Sequence, residues 1–150
     1  MKTSMILLVG ALVVAGGSMF WYSATRPSAS NLPQGSQSSA PVAGAPIVSV
    51  KIPAELSANA SLGKRGFEAK CAVCHGANAA GQEGIAPPLV HKIYEPGHHG
   101  DQSFVRAARN GVQSHHWSFG NMPKIKGVTD ADVKYIAAYI RELQRANGIN

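Results

Sequence analysis

The chain has two cysteines, Cys71 and Cys74, and both stand in the stretch CAVCH with His75 directly behind them. Four chemistries use thiols at this spacing. A structural disulfide fits poorly, because a ring closed over two intervening residues removes little freedom from the unfolded chain. A zinc finger needs further ligands at a set spacing, and here sixteen residues separate Cys74 from His91 and six more precede His98, which matches no finger. A thioredoxin-type redox pair belongs in an alternating βαβ pattern, and the sequence has none. In the fourth chemistry, two thiols one helical turn apart add to the two vinyl groups of a single porphyrin, and the adjoining imidazole reaches the iron from the same side. Only this reading gives every residue of CAVCH a role. It predicts one covalent haem c, bound through Cys71 and Cys74, with His75 on the iron.

Iron held in this way lacks one axial donor. The stretch HHWSFGNMP, His115 to Pro123, offers His115, His116 and Met122. Met122 is the only methionine outside the initiator and the apolar N-terminal segment. Its thioether is a soft, weak donor that favours ferrous iron and raises the reduction potential relative to two histidines. Met122 is therefore the expected sixth ligand. Adjacent loop histidines are more often solvated or turned to a propionate, and His115 and His116 stand as the alternatives. His91, His98 and His99 have a spacing that matches no recognised metal geometry.

These residues need helices to position them. The spacing predicts a first helix from about Asn59–Ser61 through CAVCH, then a loop without helical period, GQEGIAPPLV, over Gly81 to Val90. A middle helix is expected over about Gln102 to Asn110, with Asp101 or Ser103 as N-cap and Gly111 as its stop. Arg106 and Arg109 lie on it three apart and are candidates for a haem propionate, although exposed helix charges are usually just solvated. The last helix has a capping-box start at Thr129-Asp130-Ala131-Asp132 and a terminator at Gly148. Val133, Ile136, Ala137, Ile140 and Leu143 form its apolar stripe.

The N-terminal third has a different character. Met5 to Tyr22 carries no charge, and at about 1.5 Å per residue it approaches the roughly 30 Å hydrocarbon core. Phe20, Trp21 and Tyr22 suit a membrane interface better than a small-residue cleavage site. Residues 1–26 are therefore expected to be an uncleaved anchor, with a cleaved signal peptide as the alternative. Lys2 and Arg26 flank the span evenly, but covalent haem attachment takes place outside the cytoplasm, which puts the N-terminus inside and the domain outside. Residues 27–50 are rich in Pro, Ser, Gly and Ala without charge or aromatic side chains; a disordered linker spanning roughly 25–30 Å is expected. Residues 51–150 form the expected folded domain. Twelve Lys and Arg and all eight acids fall in it, a diffuse positive surplus that excludes a nucleic-acid groove and suits an acidic protein surface or anionic lipid.

Taken together, CAVCH, the Pro-Pro-Leu loop, the Gly-Asn-Met-Pro loop and the final helix resemble the class I c-type cytochromes, in particular the short bacterial ones, over about Ser61 to Ile149. The resemblance implies an all-α fold of three to four helices around one covalent haem. It makes Pro87 the residue whose carbonyl accepts the Nδ1–H of His75, and Leu89 a wall of the haem pocket. Trp117, five residues before Met122, would offer its indole N–H to a propionate, and Gly63 and Phe67 would receive the last helix at Tyr139. With both axial positions filled by protein, the expected role is one-electron transfer between respiratory or dehydrogenase complexes at the periplasmic face, by a shuttle or a tethered subunit and not by an enzyme. Lys70, Lys92, Lys124 and Lys126 are candidates for a rim that steers acidic redox partners. A haem enzyme or gas sensor of peroxidase type is the alternative. There Met122 is absent from the iron or leaves it, and His115 or His116 supplies the acid–base group. The HHGDQ and HHW histidines depart from the family's simplest form and have no assigned role.

Overall fold

The computed structural model describes residues 42–150. The apolar span Met5–Tyr22 and residues 27–41 of the expected linker lie outside the described residues. The first helix, α1 (Ala58–Lys70), begins where Ser57 accepts a hydrogen bond from the Ala60 N–H at 3.2 Å, which satisfies one of the donors a helix start leaves free. Its buried residues, Ala60, Gly63 and Phe67, recur at three and four and so share one face. At Cys71 the helix loosens, yet the Cys71 N–H still reaches the Phe67 carbonyl at 2.8 Å. One further turn, α2 (Ala72–His75), completes CAVCH.

Two short 3₁₀ turns, Ala77–Ala79 and Lys92–Tyr94, punctuate the following segment. The middle helix, α3 (Asp101–Asn110), is capped by the Gly100 backbone with no side-chain bond. Neither expected N-cap acts, because the Asp101 carboxylate is taken by Arg141 at 2.7 Å. The last helix, α4 (Asp130–Ala146), has the full capping box: Thr129 Oγ1 accepts from the Asp132 N–H at 3.2 Å, and Asp132 Oδ2 accepts from the Thr129 N–H at 2.8 Å.

Helix α4 joins the parts. Against α1 the two backbones touch, since a Cβ on Gly63 would stand 1.8 Å from the Tyr135 carbonyl oxygen. Below that crossing the Phe67 and Tyr139 rings meet at 5.7 Å and 57°, and the Tyr139 hydroxyl donates to Asn78 Oδ1 at 3.1 Å. Leu89, Val90, Ile136, Ile140 and Leu143 complete this core. Against α3, α4 supplies Val133 to a smaller cluster with Val105 and Ala108. The described residues are helical with no strand, only two isolated bridges, as the all-α expectation requires. Among them, no helix is long and apolar enough to cross a membrane.

Packed structure begins earlier than Lys51. The Gly44 N–H donates to Glu83 O at 2.9 Å, and the Ile47 and Val48 N–H groups donate to Ala80 O at 3.2 and 3.1 Å. Composition suggested a linker here. Backbone pairing with the 80–83 segment holds these residues in place without charged or aromatic side chains.

Candidate functional site

All seven expected site residues, Cys71, Cys74, His75, Pro87, Leu89, Trp117 and Met122, line one cavity of about 400 Å³, within the roughly 300–1,000 Å³ usual for cofactor sites. His75 is 9% exposed, and its Nδ1 lies 2.9 Å from the Pro87 carbonyl. A carbonyl only accepts, so Nδ1 carries the proton and Nε2 keeps its lone pair. Burial lowers the His75 pKa, and the bond to Pro87 opposes that shift in part. The ring is thus neutral and oriented, as a metal-binding imidazole must be.

The loop that presents Pro87 is held on both sides. Pro88 follows Pro87 and restricts it to extended backbone, and the Leu89 N–H donates to Ala79 O at 2.9 Å. Gln82 Nε2 donates to the Val73 and Cys74 carbonyls at 2.8 and 2.9 Å, closing the orphan C-terminal carbonyls of α2. Cys71 is half-buried and Cys74 exposed, and both are free thiols. Burial, and secondarily Cys74, push the Cys71 thiol up to about 11.

Met122 sits in a loop clamped to α3. Its N–H and carbonyl each bond Val112, both at 2.9 Å, and the Ile125 N–H reaches Ala108 O at 2.8 Å. Gly111, with φ +78°, starts the loop at a point where a Cβ would stand 2.6 Å from the Met122 carbonyl, so only glycine fits. Asn121 Oδ1 accepts from the Ser114 N–H at 2.9 Å inside the loop.

Trp117 stacks on Phe119 at 5.7 Å and 11°, and meets the His91 ring edge-on at 5.1 Å. Its Nε1 is buried without a hydrogen-bond partner, an omission that costs about 1–3 kcal/mol. Burial raises the pKa of the neighbouring Tyr94, and a side-chain contact with Trp117 opposes that in part; the contact falls outside hydrogen-bond geometry, so Nε1 stays unpaired. An unpaired donor on the wall of a largely apolar cavity suits a ligand that brings an acceptor such as a carboxylate. Arg106 lines the same cavity, whereas Arg109 is paired with Asp130, its Nε donating to Oδ1 at 3.2 Å.

Sequence reasoning missed Arg141 and Gln144. Arg141 is 6% exposed; it donates to Tyr94 O and Gln144 Oε1, both at 2.6 Å, to the His99 carbonyl and to Asp101. Gln144 Nε2 donates to Leu89 O at 2.8 Å and Tyr94 O at 3.0 Å. Each stands four residues after a member of the α4 stripe, Ala137 and Ile140, and that placement was the available signal. Of the loop histidines, His99, His115 and His116 border the cavity and His91 and His98 do not.

Among the described residues, two thiols a helical turn apart, a preset imidazole and an unpaired indole donor share a largely apolar cavity, as a holder for one covalently attached macrocycle requires. The family model described as Cytochrome c matches residues 60–144, more than half of the chain, and the chain belongs to that family. A comparison with curated proteins finds no match. Proteins of this family bind haem c covalently, typically one per domain, and the residues around the cavity fit that group.

Proposed function

We propose that the chain is a one-electron carrier whose haem c is tethered by Cys71 and Cys74 and ligated by His75 and Met122. Bound there, haem c supplies an Fe(III)/Fe(II) couple. The observation that supports the reading is the pair of backbone bonds between Met122 and Val112, which holds the Met122 backbone beside the cavity that the preset His75 also lines. Donors held this firmly change little between oxidation states, and small rearrangement is what fast electron transfer requires. Trp117 would give its free N–H to a propionate.

The lysines support a docking role. Lys70, Lys92, Lys124 and Lys126 are exposed, and the Lys70 amine comes within 3.4 Å of a Cβ built on Gly127, beside Lys126. Exposed positive charge at these positions would speed encounter with acidic partners. Val73, between the cysteines, is 76% exposed and leaves apolar surface at the CAVCH turn. With Met5–Tyr22 as anchor, the domain would work at the periplasmic face of a bacterial inner membrane, between respiratory or dehydrogenase complexes.

One observation favours a second reading, a haem enzyme or gas sensor: His115 and His116 border the same cavity and would supply an acid–base group if Met122 left the iron. Visible spectra of the haem-loaded protein separate the two. The carrier shows a weak far-red methionine-to-ferric-iron band that Met122→Ala abolishes, and its reduced form ignores carbon monoxide. Prompt carbon monoxide binding by the reduced wild type would sink the carrier reading.

A further inference from the structure

The loop histidines, which no part of the haem site uses, converge in space. His98, His99 and His116 each offer a ring nitrogen, and these atoms all lie within 4.8 Å of one another. One pair, His98 Nε2 and His116 Nε2, is 3.4 Å apart. Two donors on a tetrahedral ion with metal–nitrogen bonds of about 2.0–2.1 Å stand about 3.3 Å apart, so this pair already has the required separation. Bringing in the third atom takes a movement of no more than about 1.5 Å, within the reach of the exposed His98 and His116 side chains.

The third imidazole is preset. His99 Nδ1 lies 2.7 Å from the Ile93 carbonyl, which fixes the proton there and leaves Nε2 as the free lone pair. This is the outer bond that metal-ligating histidines almost always make. The backbone beneath is equally fixed: the His98 and His99 N–H groups both donate to Glu95 O, at 3.1 and 2.8 Å, and buried Arg141 holds the His99 carbonyl. His116 comes from the separate loop that Val112–Met122 and Ile125–Ala108 clamp to α3. His115 adjoins the group, its ring 4.3 Å from that of His116, but its Nδ1 bonds Gln113 O at 2.8 Å and it is not one of the three converging donors.

We propose that His98, His99 and His116 form a binding site for a borderline divalent transition-metal ion such as Zn²⁺ or Cu²⁺, at the rim of the haem cavity. Three neutral imidazoles without a carboxylate or thiolate select this class over Mg²⁺ or Ca²⁺. Three protein donors leave a fourth position for water, as in open zinc sites. The ion would bridge the 91–100 segment and the methionine loop. This inference goes beyond the electron-carrier reading and does not need Met122 on the iron, but it does need His116 off it.

The test is calorimetric titration of the haem-loaded full chain with Zn²⁺, with His98→Gln, His116→Gln and His115→Gln beside wild type. The expected result is one Zn²⁺ per chain, weakened at least tenfold in His98→Gln and His116→Gln, since losing even an outer-shell partner costs about 10–100-fold. His115→Gln should stay within about threefold of wild type, well short of that range. An unchanged haem spectrum in each variant shows that the fold is intact. Binding absent from wild type, or undiminished in both His98→Gln and His116→Gln, overturns the site. So does a His116→Gln variant with an altered haem spectrum but the far-ultraviolet circular dichroism of wild type, which would instead assign His116 to the iron.

Discussion

Replacing Gly63 by alanine tests the arrangement that holds the two ends of the domain together. In an isolated helix this change is favourable by about 1 kcal/mol. Here the added methyl would stand 1.8 Å from the Tyr135 carbonyl oxygen and 2.9 Å from the Ile136 nitrogen, and both are backbone atoms of α4 that no rotamer change can move aside. Reaching ordinary contact at 3.4 Å requires α1 and α4 to part by about 1.6 Å. Overpacking costs typically about 1–3 kcal/mol and more in tight sites, and a backbone clash belongs at the upper end. Parting the helices also weakens the Phe67–Tyr139 pair, worth about 0.5–1.5 kcal/mol. The net expectation is a loss of about 3 kcal/mol, or a Tm lower by about 12 °C or more. Gly66→Ala is the matched control, because its methyl would meet only the Ile136 side chain at 3.2 and 3.3 Å, atoms that can shift. Denaturant unfolding of the haem-loaded protein, followed by far-ultraviolet circular dichroism, measures both. A Gly63→Ala loss below about 1 kcal/mol, under the range for overpacking, or equal losses in the two variants, would refute the backbone-contact argument.

Two further outcomes can be checked in the same unfolding assay. Arg141→Leu strips donors from the Tyr94 and His99 carbonyls and from Gln144, and should cost about 3 kcal/mol, the lower end for breaking a buried charged network. Asp101→Asn, at the exposed end of that network, should cost less than about 1 kcal/mol; equal losses would place the energy in the ion pair and not in the buried carbonyl contacts. Tyr139 tests pH dependence: burial first, and Glu68 second, push its hydroxyl from 10.0 up to about 12. The folded state therefore keeps a proton that the unfolded chain gives up, so this contribution to stability is intact below pH 10 and is lost as pH rises towards 12. Tyr139→Phe should flatten the alkaline loss of stability over that window, and an unchanged slope would show that Tyr139 does not cause it.

Much of the site was legible because it is local. CAVCH, the Thr129 capping box and the Gly-Asn-Met-Pro turn each carry their chemistry within a few residues, and the Pro87 contact with His75 spans only twelve. What was illegible depends on distance along the chain. Arg141 finds Asp101, His99 and Tyr94 at separations of 40, 42 and 47 residues, and no short-range rule connects them. The same ion pair explains why Asp101 fails as an N-cap: a local preference worth about 1 kcal/mol yields to a buried guanidinium that needs an acceptor. Composition marked Gly44 to Val48 as linker because backbone hydrogen bonds to Ala80 and Glu83 leave no trace in residue type. The histidines looked irregular because the three that meet come from two loops.

The two proposed axial donors depend on different halves of the domain. His75 is set by α1, α2 and the Pro87 loop, and Met122 by α3 and the loop clamped to it. Neither half contacts the other through a sheet among the described residues, and no hydrogen bond links His75 to the Met122 loop there. Helix α4 is the common member, with Ile136, Tyr139 and Ile140 in the core against α1 and Val133 in the cluster against α3. Arg141 and Gln144, on the same helix, fix Tyr94, His99 and Leu89, which lie on the cavity wall. The spacing between the donors therefore depends on how α4 seats on both α1 and α3, and at Gly63 the α1 and α4 backbones touch. A residue with no side chain, which takes no part in the proposed ligation, thus helps set the spacing that a methionine–histidine pair would need.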